Sequence, residues 1–283
     1  RAKGSGGVMD MEAQVARHYM HGALERSILD ALAAAGKDLD RLTAADLAGV
    51  DEFHLGWRAS TVALAQDLQL AQGQRVLDIG SGIGGPARYM AEAHGCQVTG
   101  IDLTEEFVAV ATALTRRCGL AHRVSFRLGS GLALPFPDGS FDAATLIHVG
   151  MNIERKDLLF REVRRVLKPG GRFGVYDVMR MEEAPLPYPM PWAADAATSF
   201  VEPPATYRTL LGESGFAVEQ EVNLREFVLA RWQEMRAEAA SRGQPLLSLR
   251  NLVGPAFEER FSNVLRALQA GNIAPIQMIA RAI

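Results

Sequence analysis

Two cysteines, Cys96 and Cys118, are all that the 283 residues hold, and they stand at no metal-ligand spacing. That leaves no cysteine-based metal site and no disulfide framework, and it points to a reducing, cytoplasmic compartment. No apolar run reaches the ~18 residues that a membrane-spanning helix needs. Charge of one sign is also missing: 30 basic and 33 acidic residues are mixed along the chain for a net charge of -3. A dedicated nucleic-acid binder is usually basic, so that class is disfavoured. The visible basic cluster, Arg161, Arg164, Arg165 and Lys168, falls on the polar face of an expected helix and reads as solvated. There is no internal repeat and no low-complexity tract. The opening Arg1-Ala2-Lys3-Gly4-Ser5-Gly6-Gly7 is too polar for a signal peptide, and residues 1–11 read as a tail outside the fold.

What is present begins with Val76-Leu77-Asp78-Ile79-Gly80-Ser81-Gly82-Ile83-Gly84-Gly85. An apolar run ends in an acid and breaks into glycines. A second run, Val98-Thr99-Gly100-Ile101-Asp102, ends in a second acid. A strand that stops at glycines lets the backbone approach a ligand closely. A carboxylate at the tip of the next strand can bind two ribose hydroxyls.

Around these runs the pattern alternates. Strands are expected at 75–79, 97–101, 123–128, 142–148 and 171–178, with helices at 85–94, 105–118 and 155–167 between them. Later come a helix at 205–214, a strand at 217–223, helices near 226–241 and 255–269, and a last strand at 275–282. This is an α/β fold, a doubly wound, Rossmann-like, mostly parallel sheet of seven strands. A helix at 12–34 and a second at about 58–70 make residues 12–72 an N-terminal helical cap. The core is then 73–283. Within it, Pro185, Pro187, Pro189, Pro191, Pro203 and Pro204 make 184–204 a substrate loop, and 225–270 is a late helical insert.

The glycines also satisfy the dinucleotide pattern, which by itself allows an NAD-dependent oxidoreductase. Three details oppose it. Asp78 would repel a pyrophosphate at close range. Pro86 removes an N–H donor at the helix start. No lysine or arginine lies in the loop. The implied ligand is a nucleoside carrying an amino-acid-like cation, the character of S-adenosylmethionine.

The chain resembles a class I S-adenosylmethionine-dependent methyltransferase of the small-molecule branch, which includes ubiquinone/menaquinone C-methyltransferases and sarcosine/dimethylglycine N-methyltransferases. The resemblance rests on the glycine segment, on Gly100-Ile101-Asp102, on Leu134-Pro135-Phe136-Pro137-Asp138-Gly139-Ser140-Phe141-Asp142 and on Leu167-Lys168-Pro169-Gly170-Gly171-Arg172. Together these cover roughly residues 54–222. The resemblance implies that Gly80 and Gly82 pass under the methionine part of the cofactor, with Asp78 near its ammonium. Asp102 would take the ribose, Leu103 the adenine, and Ser130-Gly131 the place where the family often has an acid for the adenine amino group. Tyr19 would belong to a lid, with His18 and His21 beside it.

Methyl transfer to a small-molecule acceptor, giving S-adenosylhomocysteine, needs in-line geometry and no metal. It needs a base only for an acceptor that carries a tightly held proton. His148, at the end of the fourth strand, is the candidate base or else a cofactor ligand. Asp177, at the end of the fifth, would bind an amine or orient His148, and Asn152 would orient an acceptor group. His54, Trp57, Trp192 and Met151 are candidate acceptor contacts. A non-catalytic cofactor-binding scaffold stays open as an alternative. The C-terminal apolar residues Phe257, Phe261 and Leu265 are either core or the face of a homodimer.

Overall fold

The computed structural model describes residues 5–20, 23–243 and 245–283. In chain order the N-terminal part holds α1 (Ser5–Tyr19), α2 (Leu24–Ala34), α3 (Ala44–Leu47) and α4 (Trp57–Asp67). The alternating part follows: β1 (Arg75–Ile79), α5 (Gly85–His94), β2 (Gln97–Asp102), α6 (Glu105–Arg117), β3 (Val124–Leu128), β4 (Phe141–Ile147), α7 (Lys156–Val166), β5 (Leu167–Arg180), α8 (Pro204–Glu213) and β6 (Phe216–Asn223). Then come α9 (Arg225–Arg242), α10 (Leu249–Val253), α11 (Phe257–Ala270) and β7 (Ile273–Ala282).

The seven strands form one sheet in the order β3-β2-β1-β4-β5-β7-β6, with β7 antiparallel to both neighbours. The strand order reverses between β1 and β4, so a crevice opens beyond their C-terminal ends. β1 fits that central place because four of its five residues are buried, as a strand covered on both faces requires. One face packs Phe160, Val163, Tyr207 and Leu211 from α7 and α8. The other packs Leu64, Leu68 and Met90 from α4 and α5. Each such side chain, fully buried, contributes about 1.5–3 kcal/mol.

Three expectations change. The helix expected over 12–34 is two helices, and α1 starts well before residue 12, so residues 5–11 belong to the fold and not to a tail. Ala23 has left helical geometry (φ -146°), and His21 and Gly22, on which the expectation also rested, lie outside the described residues. The insert divides into α9, α10 and α11, and it does not stand apart from the cap. Leu249, Leu252, Val253 and Phe261 pack with Leu24, Ile28 and Leu32 of α2, so the two ends of the chain share one apolar cluster above the crevice. Phe261 is buried in that cluster, and the half-buried Phe257 stacks on it at 4.3 Å between ring centroids. Finally, Lys168-Pro169-Gly170-Gly171 bulges out of β5, whose pairing with β4 jumps from Phe141–Leu167 to Ala143–Arg172.

Candidate active site

The crevice holds a cavity of about 1300 Å³ including its mouth. Gly80 and Gly82 floor it at φ +67° and +52°, the left-handed region that glycine enters without strain. A Cβ on Gly80 would strike Val149, while one on Gly82 would meet no protein atom within 4 Å. Asp78 lines the cavity and is buried. Its Oδ1 accepts a hydrogen bond from Thr145 Oγ1 at 2.7 Å, and its Oδ2 has no partner. Burial raises its carboxyl to about 7, against the Thr145 hydrogen bond. An unpartnered buried carboxylate oxygen is costly unless something cationic meets it. Asp102 stands at the other end, accepting from Gly82 N at 2.8 Å and Thr104 N at 2.9 Å, with its carboxyl raised by burial. Leu103 and Gly131 also line the cavity.

Ser130 departs from expectation. Its hydroxyl donates to Glu12 on α1 and accepts from Leu132 N at 3.0 Å, so it fastens the roof and does not face the ligand. Met11, Glu12 and Val15 of α1, and Leu252 of α10, close the cavity from above. Tyr19 continues that roof and donates to Asn152 Oδ1 at 3.2 Å, while burial raises its phenol well above its usual value. Asn152 Nδ2 donates to Trp192 O at 2.8 Å, so this side chain is engaged in joining α1 to the 184–204 loop.

His148 lines the cavity at φ +53°, a strained conformation for a non-glycine residue. Its Nε2 accepts from Leu55 N at 3.2 Å, and its Nδ1 donates to Tyr176 O at 3.2 Å. Both ring nitrogens are therefore engaged by backbone, in the neutral tautomer with the proton on Nδ1. Burial, with His54 nearby, lowers its pKa to about 3. The base expected at His148 has no lone pair to offer. Asp177 is likewise misplaced by the expectation. Successive side chains of a strand face opposite ways. Tyr176 turns toward α4, where Ser60 Oγ donates to its hydroxyl at 3.2 Å, and Asp177 turns toward α8. Tyr207 Oη donates to Asp177 Oδ2 at 2.6 Å, and Asp177 lines neither cavity.

A second cavity of about 390 Å³ adjoins the first, sharing Tyr19, Phe53, His54 and His148 with it. Leu55, Met151, Pro191, Trp192, Phe261 and Val264 complete its wall. Met151, His54 and Trp192, the candidate acceptor contacts, thus line this second cavity. Trp57 does not. As the first residue of α4 it turns to the insert, edge to face with Trp232 at 5.8 Å, and it lines neither cavity.

Residues 77–175 match the family model described as a methyltransferase domain. Over that segment the chain is similar to methyltransferase domains, and the match covers less than half of the chain. A sterol 24-C-methyltransferase of Gibberella zeae is 40% identical over 114 residues, which is 40% of this chain and 30% of that protein. A methyltransferase of Streptomyces halstedii is 34% identical over 134 residues, 47% of this chain and 48% of that one. The matched segment thus spans less than half of these relatives. Among solved structures, the [4+2]-cyclase SpnF is 25% identical with a TM-score of 0.65, covering 87% of this chain and 99% of that one. A putative sarcosine dimethylglycine methyltransferase from Galdieria sulphuraria shares the fold at 20% identity and a TM-score of 0.63, over 79% of this chain and 84% of that one.

The site also uses residues that the sequence does not advertise. Arg88 is wholly buried beneath the glycine loop, donating to Ile83 O and to Asp51 Oδ2, each at 2.8 Å. Asp51, Phe53, Ser81, Thr104 and Phe107 line the first cavity. Asp51 and Arg88 lie 37 positions apart, so only the fold brings them together. Arg58 pairs with Glu52.

Proposed function

We propose that the protein transfers a methyl group from S-adenosylmethionine to a small-molecule acceptor. The observation that carries this reading is the unpartnered buried Oδ2 of Asp78, aimed into a glycine-floored cavity with Asp102 at its far end. A pyrophosphate is repelled by that carboxylate, whereas an ammonium or sulfonium is drawn to it. The cofactor would supply an electrophilic carbon on a cationic sulfur.

The chain's own residues would do the rest. Asp78 would hold the ammonium, directly or through water, and Asp102 the ribose hydroxyls. Leu103 would lie against the adenine. His148 would act as a positioning residue: it holds the backbone N–H of Leu55, a residue in the wall of the second cavity. Tyr19 and Asn152 would hold the roof shut and keep water out, which strengthens the electrostatics inside. The acceptor atom's electron pair forms the new bond to carbon as the carbon–sulfur bond breaks and its electrons stay on sulfur. The positive charge passes to the product, which later releases any surplus proton to solvent. With Cys96 and Cys118 free, a reducing cytoplasmic setting suits the protein.

Calorimetric titration with S-adenosylhomocysteine and, separately, NADH tests the cofactor, and transfer of a labelled methyl group to candidate acceptors tests the reaction. Binding of NADH alone would overturn the reading. A second reading, a cofactor-binding protein that does not methylate, is favoured by the engaged state of both His148 nitrogens. It predicts tight S-adenosylhomocysteine binding with no label transferred to any acceptor class.

A further inference from the structure

The second cavity is chemically unlike the first. Acids line the first, donor cavity, but among the described residues no carboxylate, ammonium or guanidinium lines the second one. Its four polar side chains are all committed elsewhere. Tyr19 donates to Asn152, and Trp192 Nε1 donates to Ser199 Oγ at 3.0 Å. His148 is engaged through both nitrogens, as described. His54 is held by Glu52 Oε2 at 2.8 Å through Nε2 and faces Leu55 O at 3.2 Å through Nδ1. Arg260, on the same helix as Phe261 and Val264, turns its Nη1 to His18 Nε2 at 3.2 Å and is not part of the wall.

We infer that this pocket selects a neutral, largely apolar acceptor. The part of the acceptor inside it carries no carboxylate, phosphate or ammonium. An ion entering there would lose its hydration and gain no partner, a penalty far above that of an ordinary misplaced contact. Aromatic walls at Phe53, Trp192 and Phe261 supply broad apolar contact for a ring or a branched chain. The inference deepens the methyl-transfer reading and rests on it.

The test uses three probes of one shape on protein saturated with S-adenosylhomocysteine: 2-naphthol, 2-naphthoate and 2-naphthylmethylammonium. Saturation is measured first, so that failure to bind the cofactor product counts against the methyl-transfer reading alone. The neutral naphthol is expected to bind, with both ions weaker by about 100-fold or more. Val264→Phe fills the pocket from α11, and it should abolish naphthol binding while leaving the affinity for S-adenosylhomocysteine in place. Ionic probes that bind as tightly as naphthol would overturn the inference. So would naphthol binding that survives Val264→Phe, or binding by none of the three.

Discussion

The backbone N–H of Leu55 donates to His148 Nε2 at 3.2 Å, across 93 positions of sequence. The Leu55 carbonyl accepts from Tyr176 Oη at 2.7 Å, so this residue of the second cavity's wall is held through both its N–H and its C=O. The strained backbone of His148 is what turns its ring to this duty. If His148 positions the wall, His148→Ala lowers turnover while S-adenosylhomocysteine affinity stays within a few-fold. His148→Gln restores part of the loss, since an amide oxygen accepts the same N–H. Steady-state kinetics on both variants checks this, and a Gln variant as inactive as the Ala variant would restore His148 as a base.

If Asp78 holds the cofactor's ammonium, as proposed, it sets how cofactor binding depends on pH. Its carboxyl sits at about 7 in the ligand-free protein, and only the ionised form attracts an ammonium. Affinity for S-adenosylhomocysteine should fall roughly tenfold between pH 8 and pH 6, and Asp78→Asn should flatten the profile. Stability runs the other way. The folded state keeps a proton that the unfolded chain has released, so stability falls as pH rises from about 4 to about 7. Ligand-free Asp78→Asn should therefore melt a few degrees above the parent at pH 8 while binding the ligand more weakly. Calorimetry and thermal melts across pH test both halves.

Asp102→Ala removes the carboxylate assigned to the ribose. The expected loss is about 1–3 kcal/mol of S-adenosylhomocysteine affinity, typical of charged hydrogen bonds. Unchanged affinity in a titration would end the ribose assignment.

Asp177→Ala leaves the buried Tyr207 hydroxyl without its acceptor. This should cost about 1–3 kcal/mol of stability and lower the melting temperature by a few degrees. Because Asp177 lines neither cavity, cofactor affinity in the folded variant should be unchanged. A large loss of affinity without a loss of stability would return Asp177 to the site.

The strands and their helices were legible from sequence because β1, β2 and β4 are buried runs bounded by glycines, and α6 and α7 carry clean helical stripes. Asp78, Gly80, Gly82 and Asp102 were legible for a related reason: a ligand approaching backbone needs glycine, and the pattern of acids at strand ends is local. What failed to show was anything decided by direction or by distant pairing. His148 and Asp177 both end strands, but strand alternation and a left-handed φ turn one against Leu55 and the other against Tyr207. Ser130 was assigned to the cofactor, yet its partner is Glu12, 118 positions away. Trp57 belongs to a local segment that reads as a binding motif, and packing with Trp232 in the insert decides its orientation.

The floor of the donor cavity is made by strand ends in the middle of the chain, and its roof by α1 with α10. The acceptor pocket takes its outer wall from the 184–204 loop and α11. On the methyl-transfer reading, the reagent half of the site is fixed by strand ends of the sheet, while the outer wall of the other half comes from one loop and one helix. On that reading, new acceptors would be accommodated by changes at Pro191, Trp192, Phe261 or Val264, with the strand-end geometry left as it is.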